Sequence, residues 1–181
     1  MYRVLNKLKS YGLIGLYLLG SLPCVADSDN EARIRAAFIY NFTKFVEWPT
    51  PPQASFKILI IGADDLVEPL NEFKSKGKLF QNKVVEVTYS EKTVLKNDIQ
   101  ILILDLVDEK EFKQALKLYS SSPALIVNTK SNLAKKGAMI SFIKKADDTL
   151  GFGINLTKVN AQKLKMSSQL TKLGELETET P

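Results

Sequence analysis

Short apolar runs alternate with amphipathic segments along most of the chain, and this alternation limits the fold more than any other feature. The clearest runs are FKILII at 56–61 and IQILIL at 99–104. Nearly continuous apolar runs of this length are typical of strands that are covered on both faces. Further strands are predicted at 83–89 and 124–128, and helices at 66–73 and 108–119. The alternation predicts an α/β fold, in which a mostly parallel sheet is flanked by helices in a single three-layer domain.

The first and last parts of this domain have their own patterns. At 100° per residue, segment 31–48 places one apolar face on a predicted helix, made of Ile34, Ala37, Phe38, Phe42, Phe45 and Trp48. Ser28, Asp29 or Asn30 can cap its start, and Pro49 ends it. Later segments predict a helical turn at 132–136, an antiparallel strand pair at 138–144 and 149–154, and helices at 155–164 and 167–176.

The first 26 residues have the order of a secretory signal peptide. A basic start precedes an apolar run at 12–22, and Cys24-Val25-Ala26 offers small residues where a signal peptidase cleaves. The run is shorter than the roughly 20 residues of a membrane span. We therefore predict a signal peptide at 1–26, a mature domain at 27–181 and a periplasmic location. The alternative is an uncleaved N-terminal anchor.

The charge of the chain does not point to nucleic acid. The net charge is +5, but Arg3, Lys7 and Lys9 belong to the predicted signal peptide. Without them, 22 basic and 20 acidic residues remain, and the lysines are spread along the chain. We therefore expect no nucleic-acid partner. The single cysteine, Cys24, also lies in the signal peptide, so the predicted mature chain has no disulfide.

The inventory of reactive side chains argues against an enzyme. The sequence contains no histidine, the commonest general base and metal ligand. The predicted mature chain also offers no cysteine nucleophile. We therefore expect no enzymatic activity and no metal or other cofactor.

Polar residues that follow the predicted strands imitate a phospho-acceptor receiver domain. Asp64-Asp65 follows the first strand, Asp105 ends a later one, and Thr129 and Lys144 follow the next two. The carboxyl ends of parallel strands do gather ligands. We reject this interpretation because Gly62-Ala63 should hold the acid pair away from Asp105, and because an exported domain has no phosphodonor.

The most distinctive motif is FIYNFTKFVEWP at 38–49, whose aromatic residues suit a core. Asn41 is unusual because it projects to the apolar face with Phe38, Phe42 and Phe45. Since a buried amide needs hydrogen-bond partners, Asn41 is predicted to bind a backbone loop or a ligand.

This motif resembles the opening signature of the YfiR family of exported proteins. FKILIIG at 56–62 resembles the family's first strand, and KGAMI at 136–140 resembles its glycine-containing turn. FGIN at 152–155, followed by SSQL at 167–170, resembles the family's ending. Two features depart from the family: Gly153 stands where many members carry an acid, and no cysteine pair is present.

The resemblance implies a periplasmic repressor. Such a protein binds the periplasmic sensor domain of an inner-membrane diguanylate cyclase, and thereby lowers cyclic-di-GMP and biofilm formation. An outer-membrane-associated lipoprotein can sequester such a protein. Formation of a homodimer is a further alternative. The alternative is a periplasmic small-ligand-binding protein without enzymatic activity.

The candidate binding residues lie in the two end motifs. Exposed residues on the first helix and in the late segment 163–173 would suit a protein partner, whereas a pocket near Asn41, Asn155 and 167–169 would suit a small ligand. The candidates are Tyr40, Asn41, Lys44, Glu47, Trp48, Asn155, Ser167, Ser168 and Gln169.

Overall fold

The computed structural model describes residues 25–130 and 136–177, with side chains from residue 28 onward. Its strands are β1 Val46–Glu47, β2 Phe56–Ile61, β3 Val85–Ser90, β4 Ile101–Leu104, β5 Leu125–Asn128, β6 Ile140–Lys144, β7 Leu150–Ile154, β8 Lys165–Met166 and β9 Glu175–Leu176. Its α-helices are α1 Val25–Phe45, α2 Val67–Ser75, α3 Glu109–Leu118, α4 Leu156–Ala161 and α5 Ser168–Leu173. A 3₁₀ turn, Asp64–Leu66, leads into α2.

Seven of the strands form one sheet in the order β3-β2-β4-β5-β6-β7-β9. The first five strands of this order, β3, β2, β4, β5 and β6, run parallel to one another. β7 returns antiparallel to β6. β9 then adds to the far edge, parallel to β7. The α/β fold with a late antiparallel pair is therefore confirmed.

The central strands form the middle of the core. Every side chain of β4 and β5 is buried, and so are all those of β2 except Lys57, which is half-buried. A strand that buries both rows of side chains must have helices on both faces. The predicted bounds of these strands are correct to within two residues.

The first helix departs from its prediction at both ends. It already includes Ser28–Asn30, so these residues do not cap it, and it stops at Phe45 because Val46–Glu47 pairs with Lys165–Met166 as a strand. Ile34 is 40% exposed and Ala37 is exposed, so neither faces the core as predicted. The buried stripe consists of Ala32, Ala36, Ile39, Phe42, Thr43 and Val46.

The two helices predicted near the C-terminus are shorter than expected. α4 ends at Ala161 and α5 at Leu173, and each is followed by a two-residue strand. The helical pattern of these segments is overridden by pairing of β8 with β1 and of β9 with β7. The predicted turn at 132–136 lies largely outside the described residues, as does nearly all of the predicted signal peptide.

Candidate functional site

The solvent-facing side of α1 carries a connected polar and aromatic patch. The Lys44 ammonium lies 4.3 Å from the centre of the Tyr40 ring and donates a 3.0 Å hydrogen bond to Asn41 Oδ1. Tyr40 is half-buried and stacks on Phe73, with ring centres 4.8 Å apart. The structure therefore brings Tyr40, Asn41 and Lys44 together as one surface, in which each side chain contacts at least one of the others.

Asn41 does not point into the core as predicted. It is exposed, and its carbonyl binds Lys44 rather than a buried backbone loop. Asn41 lies about one helical turn after Phe38 and about one turn before Phe45, at the border of the apolar stripe. It therefore lies on the rim of the groove described below.

Two other candidates at the end of α1 have different surroundings. Glu47 is exposed on β1, opposite Lys165 of β8. Trp48 is buried, packs edge-to-face on Phe56, and donates its indole N–H to the carbonyl of Gln100 at 2.9 Å. The polar group of Trp48 is thus used inside the fold, whereas Glu47 remains on the surface.

The polar candidates in the late motif act mainly as helix caps. Asn155 Oδ1 accepts from the Lys158 N–H at 3.0 Å, and Ser167 Oγ accepts from the Leu170 N–H at 3.4 Å. The N–H of Ser167 also donates to the carbonyl of Phe45 at 2.8 Å. Only Ser168 and Gln169 are exposed, in the first turn of α5. Capping gives a structural reason for an Asn and a Ser at these places.

An apolar groove runs between α1, the β6–β7 hairpin and α5. Its volume is about 330 Å³. The residues that line it are Phe38, Asn41, Phe42, Phe45, Lys145, Leu150, Gly151, Phe152, Leu170 and Leu173. Asn155 and Ser167–Gln169 are not among them, so Asn41 lines this groove without these residues.

The floor of the groove is a cluster of phenylalanine rings. Phe152 lies with its ring centre 5.0 Å from that of Phe42 and 5.5 Å from that of Phe38, both edge-to-face. Phe142 continues the cluster beneath Phe42. Such contacts fix the rings, so the groove has a firm apolar base.

The rim of the groove is basic. A Cβ at Gly151 would lie 2.5 Å from Lys145 Cε, so the glycine makes room for the lysine stem to cross β7. Lys44 and Lys172 are exposed on α1 and α5, the helices that border the groove, although neither side chain lines it. Leu173 completes the rim and is 68% exposed. Apolar surface of this kind with a polar border is typical of binding sites.

Sequence reasoning missed the hairpin side of this groove. The predicted strand at 149–154 contains Leu150 and Gly151, and Lys145 follows the predicted strand at 138–144, but none of the three is a predicted binding residue. Leu173 lies in the late segment 163–173, which the sequence already singled out for a protein partner, and α5 buries only Leu170 fully.

The polar cluster at the carboxyl ends of the strands is internally satisfied. Asp105 Oδ1 is 2.9 Å from the Lys130 ammonium and also accepts from the Thr129 hydroxyl. Lys144, the lysine expected here, instead pairs with Asp148 at 3.0 Å on the hairpin turn. Within the described part of the chain, no group of three or more His, Cys, Asp or Glu residues could hold a metal ion.

The charges of Asp65 and Asp105 interact across the ends of β2 and β4. Burial raises the pKa of the Asp65 carboxyl, the charge of Arg35 opposes this, and the charges of Asp105 and Asp64 raise the pKa further. A Cβ at Gly62 would lie 2.7 Å from the carbonyl oxygen of Asp105, so the ends of β2 and β4 are in close contact. Gly62 therefore allows the two strand ends to approach each other closely.

Family comparison identifies the chain through residues 32–175, which match the YfiR/HmsC-like family. The chain belongs to this family. The matched region includes α1 from Ala32 onward, the large sheet up to the first residue of β9, and the groove. YfiR/HmsC-like proteins are periplasmic regulators in cyclic-di-GMP signalling and are not known as enzymes, so membership supports a regulatory role.

A solved structure supports the fold alone. It is the ABC domain in complex with L-Trp from Streptococcus pneumonia, with a TM-score of 0.52 and 15% sequence identity. The match covers 80% of this chain and 59% of that one. No curated protein matches this YfiR/HmsC-like chain. In the described part of the chain, no helix is both long enough and apolar enough to span a membrane.

Proposed function

We propose that this protein represses an inner-membrane diguanylate cyclase by binding the periplasmic sensor domain of the enzyme through the groove. The groove carries the proposal, because it combines a rigid aromatic floor, an exposed Leu173 and a basic rim. Family membership supplies the signalling context.

The groove favours a protein partner over a small ligand. A ligand-binding protein should enclose convergent polar groups, but the polar atoms of Asn155 and Ser167 are used in helix caps. Leu173 instead offers a side chain that is 68% exposed at the rim. An exposed leucine beside a basic border fits an apolar segment of a partner that also carries acidic residues.

Repression by binding is a shift between two states of the cyclase. The repressor must bind the inactive conformation more tightly than the active one, since only differential affinity moves such an equilibrium. An outer-membrane-associated lipoprotein that competes for the same surface would then release the enzyme. Tyr40 and Lys44 extend the proposed contact along α1, and Glu47 extends it onto β1. Residues 1–26 act in this proposal as the signal peptide that delivers the domain.

Deletion of the gene tests this proposal. We expect cyclic-di-GMP and biofilm to rise in the deletion strain, because the cyclase loses its inhibitor. Both should fall back to the wild-type level when the wild-type gene is supplied. Unchanged cyclic-di-GMP in the deletion strain, while the cyclase is expressed, would reject the repressor function.

Variants of the groove test the surface. Leu173→Asp should fail to restore repression, because it places an acid on an apolar contact. Val107→Asp changes a side chain that is 72% exposed outside the groove, and should restore repression fully. Lys44→Glu and Glu47→Lys should weaken repression with little change in stability, as is usual for exposed positions. Equal repression by the Leu173 and Val107 variants would show that the groove is not the contact.

A further inference from the structure

A cavity of about 490 Å³ lies at the amino ends of β2, β4 and β5. Its walls come from residues 48, 50–55 and 57 and from residues 98–100 and 122–123, and it shares no lining residue with the groove. Pockets that bind small molecules usually have volumes of roughly 300–1,000 Å³. The cavity is therefore large enough for a small ligand.

The floor of this cavity is fixed by Gln100, which is only 8% exposed. Its backbone N–H donates to the carbonyl of Lys57 at 2.9 Å, and its side-chain carbonyl accepts from the Lys57 N–H at 2.7 Å. Its backbone carbonyl accepts from the Trp48 indole and from the N–H of Leu125, at 2.9 Å each, and its side-chain amide donates to the carbonyl of Asp98 at 3.2 Å. The starts of three strands are thus held in place before a ligand binds, which lowers the cost of binding.

Several polar side chains around the cavity have no partner within the described residues. Ser55 is 8% exposed, yet its hydroxyl forms no hydrogen bond with any part of the chain that the structure describes. The half-buried Lys57 and the exposed Asp98 line the same cavity, and neither forms an ion pair with a described residue. A buried hydroxyl without a partner lowers stability. These groups therefore favour a partner that comes from outside the chain.

We propose that this cavity binds a hexuronic acid, that is, a sugar ring that carries a carboxylate. The Lys57 ammonium can only donate hydrogen bonds and is positively charged, so a carboxylate is its best partner. The Asp98 carboxylate accepts only, so it needs a donor such as a sugar hydroxyl. Ser55 can donate to a sugar hydroxyl or accept from one. The inference does not depend on the proposed repressor function.

The other lining residues favour a sugar acid over an amino acid. Gln53 and Ser122 add two neutral polar side chains to the wall, and Pro51 and Pro123 add apolar surface. A sugar ring offers several hydroxyls for the neutral groups and C–H faces for the prolines. An amino acid offers one ammonium and one carboxylate, and would leave the neutral groups unpaired.

Calorimetric titration of the purified protein tests the ligand class. We expect D-glucuronate or D-galacturonate to bind with a dissociation constant below about 1 mM. D-Glucose should bind about tenfold more weakly, because it lacks the carboxylate, and L-serine should bind more weakly still. If neither uronate binds in this range, or if glucose or serine binds as tightly as the uronates, the proposal is overturned.

Lys57→Met tests the carboxylate contact. This variant keeps the length of the side chain but removes its charge, so it should weaken uronate binding about tenfold and leave glucose binding unchanged. The matched control is Lys110→Met, which changes an exposed lysine of α3 outside the cavity and should bind uronates like wild type. Equal uronate affinities of the two variants would rule out the contact.

Asp98→Asn and Ser55→Ala test the hydroxyl contacts. Asp98 has φ of 58°, a conformation that asparagine also adopts readily, so the first variant should keep the backbone. Each variant should weaken uronate and glucose binding alike, because both ligands carry the hydroxyls. Circular dichroism checks that the variants are folded. If both folded variants bind uronates as tightly as wild type, the sugar ring does not lie in this cavity and the proposal fails.

Discussion

The parallel strands and the late hairpin belong to one sheet but use their side chains differently. In β4 and β5 every side chain is buried, and the polar groups at their ends bind one another, as Asp105 does with Lys130 and Thr129. The hairpin side, with α5, keeps Leu150 half-buried and Leu173 exposed beside an open groove. Where apolar and polar groups are both satisfied, little remains for a partner. The molecule therefore separates the region that provides stability from the region proposed for recognition.

Truncation of one leucine in each region should show the largest difference. Leu102 in β4 is fully buried, so Leu102→Ala should lower the free energy of unfolding by about 2–5 kcal/mol. Leu173→Ala removes a side chain that is 68% exposed and should cost no more than about 0.5 kcal/mol. Urea titration of both variants measures these values. Similar losses would remove the distinction between the two regions.

Two glycines with positive φ should sharpen the comparison at the level of the backbone. Gly62 has φ of 87° and lies against the carbonyl of Asp105, whereas Gly77 has φ of 66° with nothing within 4 Å of its Cβ position. Gly77→Ala should cost about 1–2 kcal/mol for its backbone alone. Gly62→Ala should cost more, because strand β4 must also move. Thermal unfolding of both variants would test this order, and an equal loss would mean that the contact with Asp105 adds nothing.

The smallest expected effect concerns the pH dependence of the polar cluster. Burial raises the pKa of Asp65 in the folded state, so its ionised form is less favourable there than in the unfolded chain. Stability should therefore fall as the pH rises through the folded pKa. Asp65→Asn removes this penalty and should be slightly more stable than wild type at pH 7, with the difference vanishing below the unfolded pKa of about 3.9. A variant that is less stable at pH 7 would show that attraction to Arg35 outweighs burial.

The sheet could be predicted because its information is local. Runs such as FKILII and ILIL identify buried strands without knowledge of their neighbours, and the carboxyl-end position of Asp105 follows from strand direction. The two end motifs also indicated the family, and the match over residues 32–175 confirms it.

The groove could not be predicted in the same way, because it depends on contacts between distant segments. The prediction placed Asn41 in the core, whereas the residue is exposed at the border of the apolar stripe. A spacing of 100° per residue gives the direction of a side chain, but not how much of the helix surface α5 and the hairpin cover. Likewise, nothing local shows that Val46–Glu47 leaves the helix to pair with Lys165–Met166. The roles of Tyr40, Lys44, Glu47, Ser168 and Gln169 in binding remain predictions.

The pairing of β1 with β8 determines how late in synthesis the fold can be completed. Val46 must pair with Met166, far along the chain, before the two ends of the fold are joined. Contacts between residues so far apart in sequence form slowly, because a long loop must first be closed. A ribosome has therefore made the chain beyond Met166 and Leu176 before β8 and β9 can be added. The N-terminal end of the fold therefore stays open to solvent until the segment that contains β8 has been synthesised.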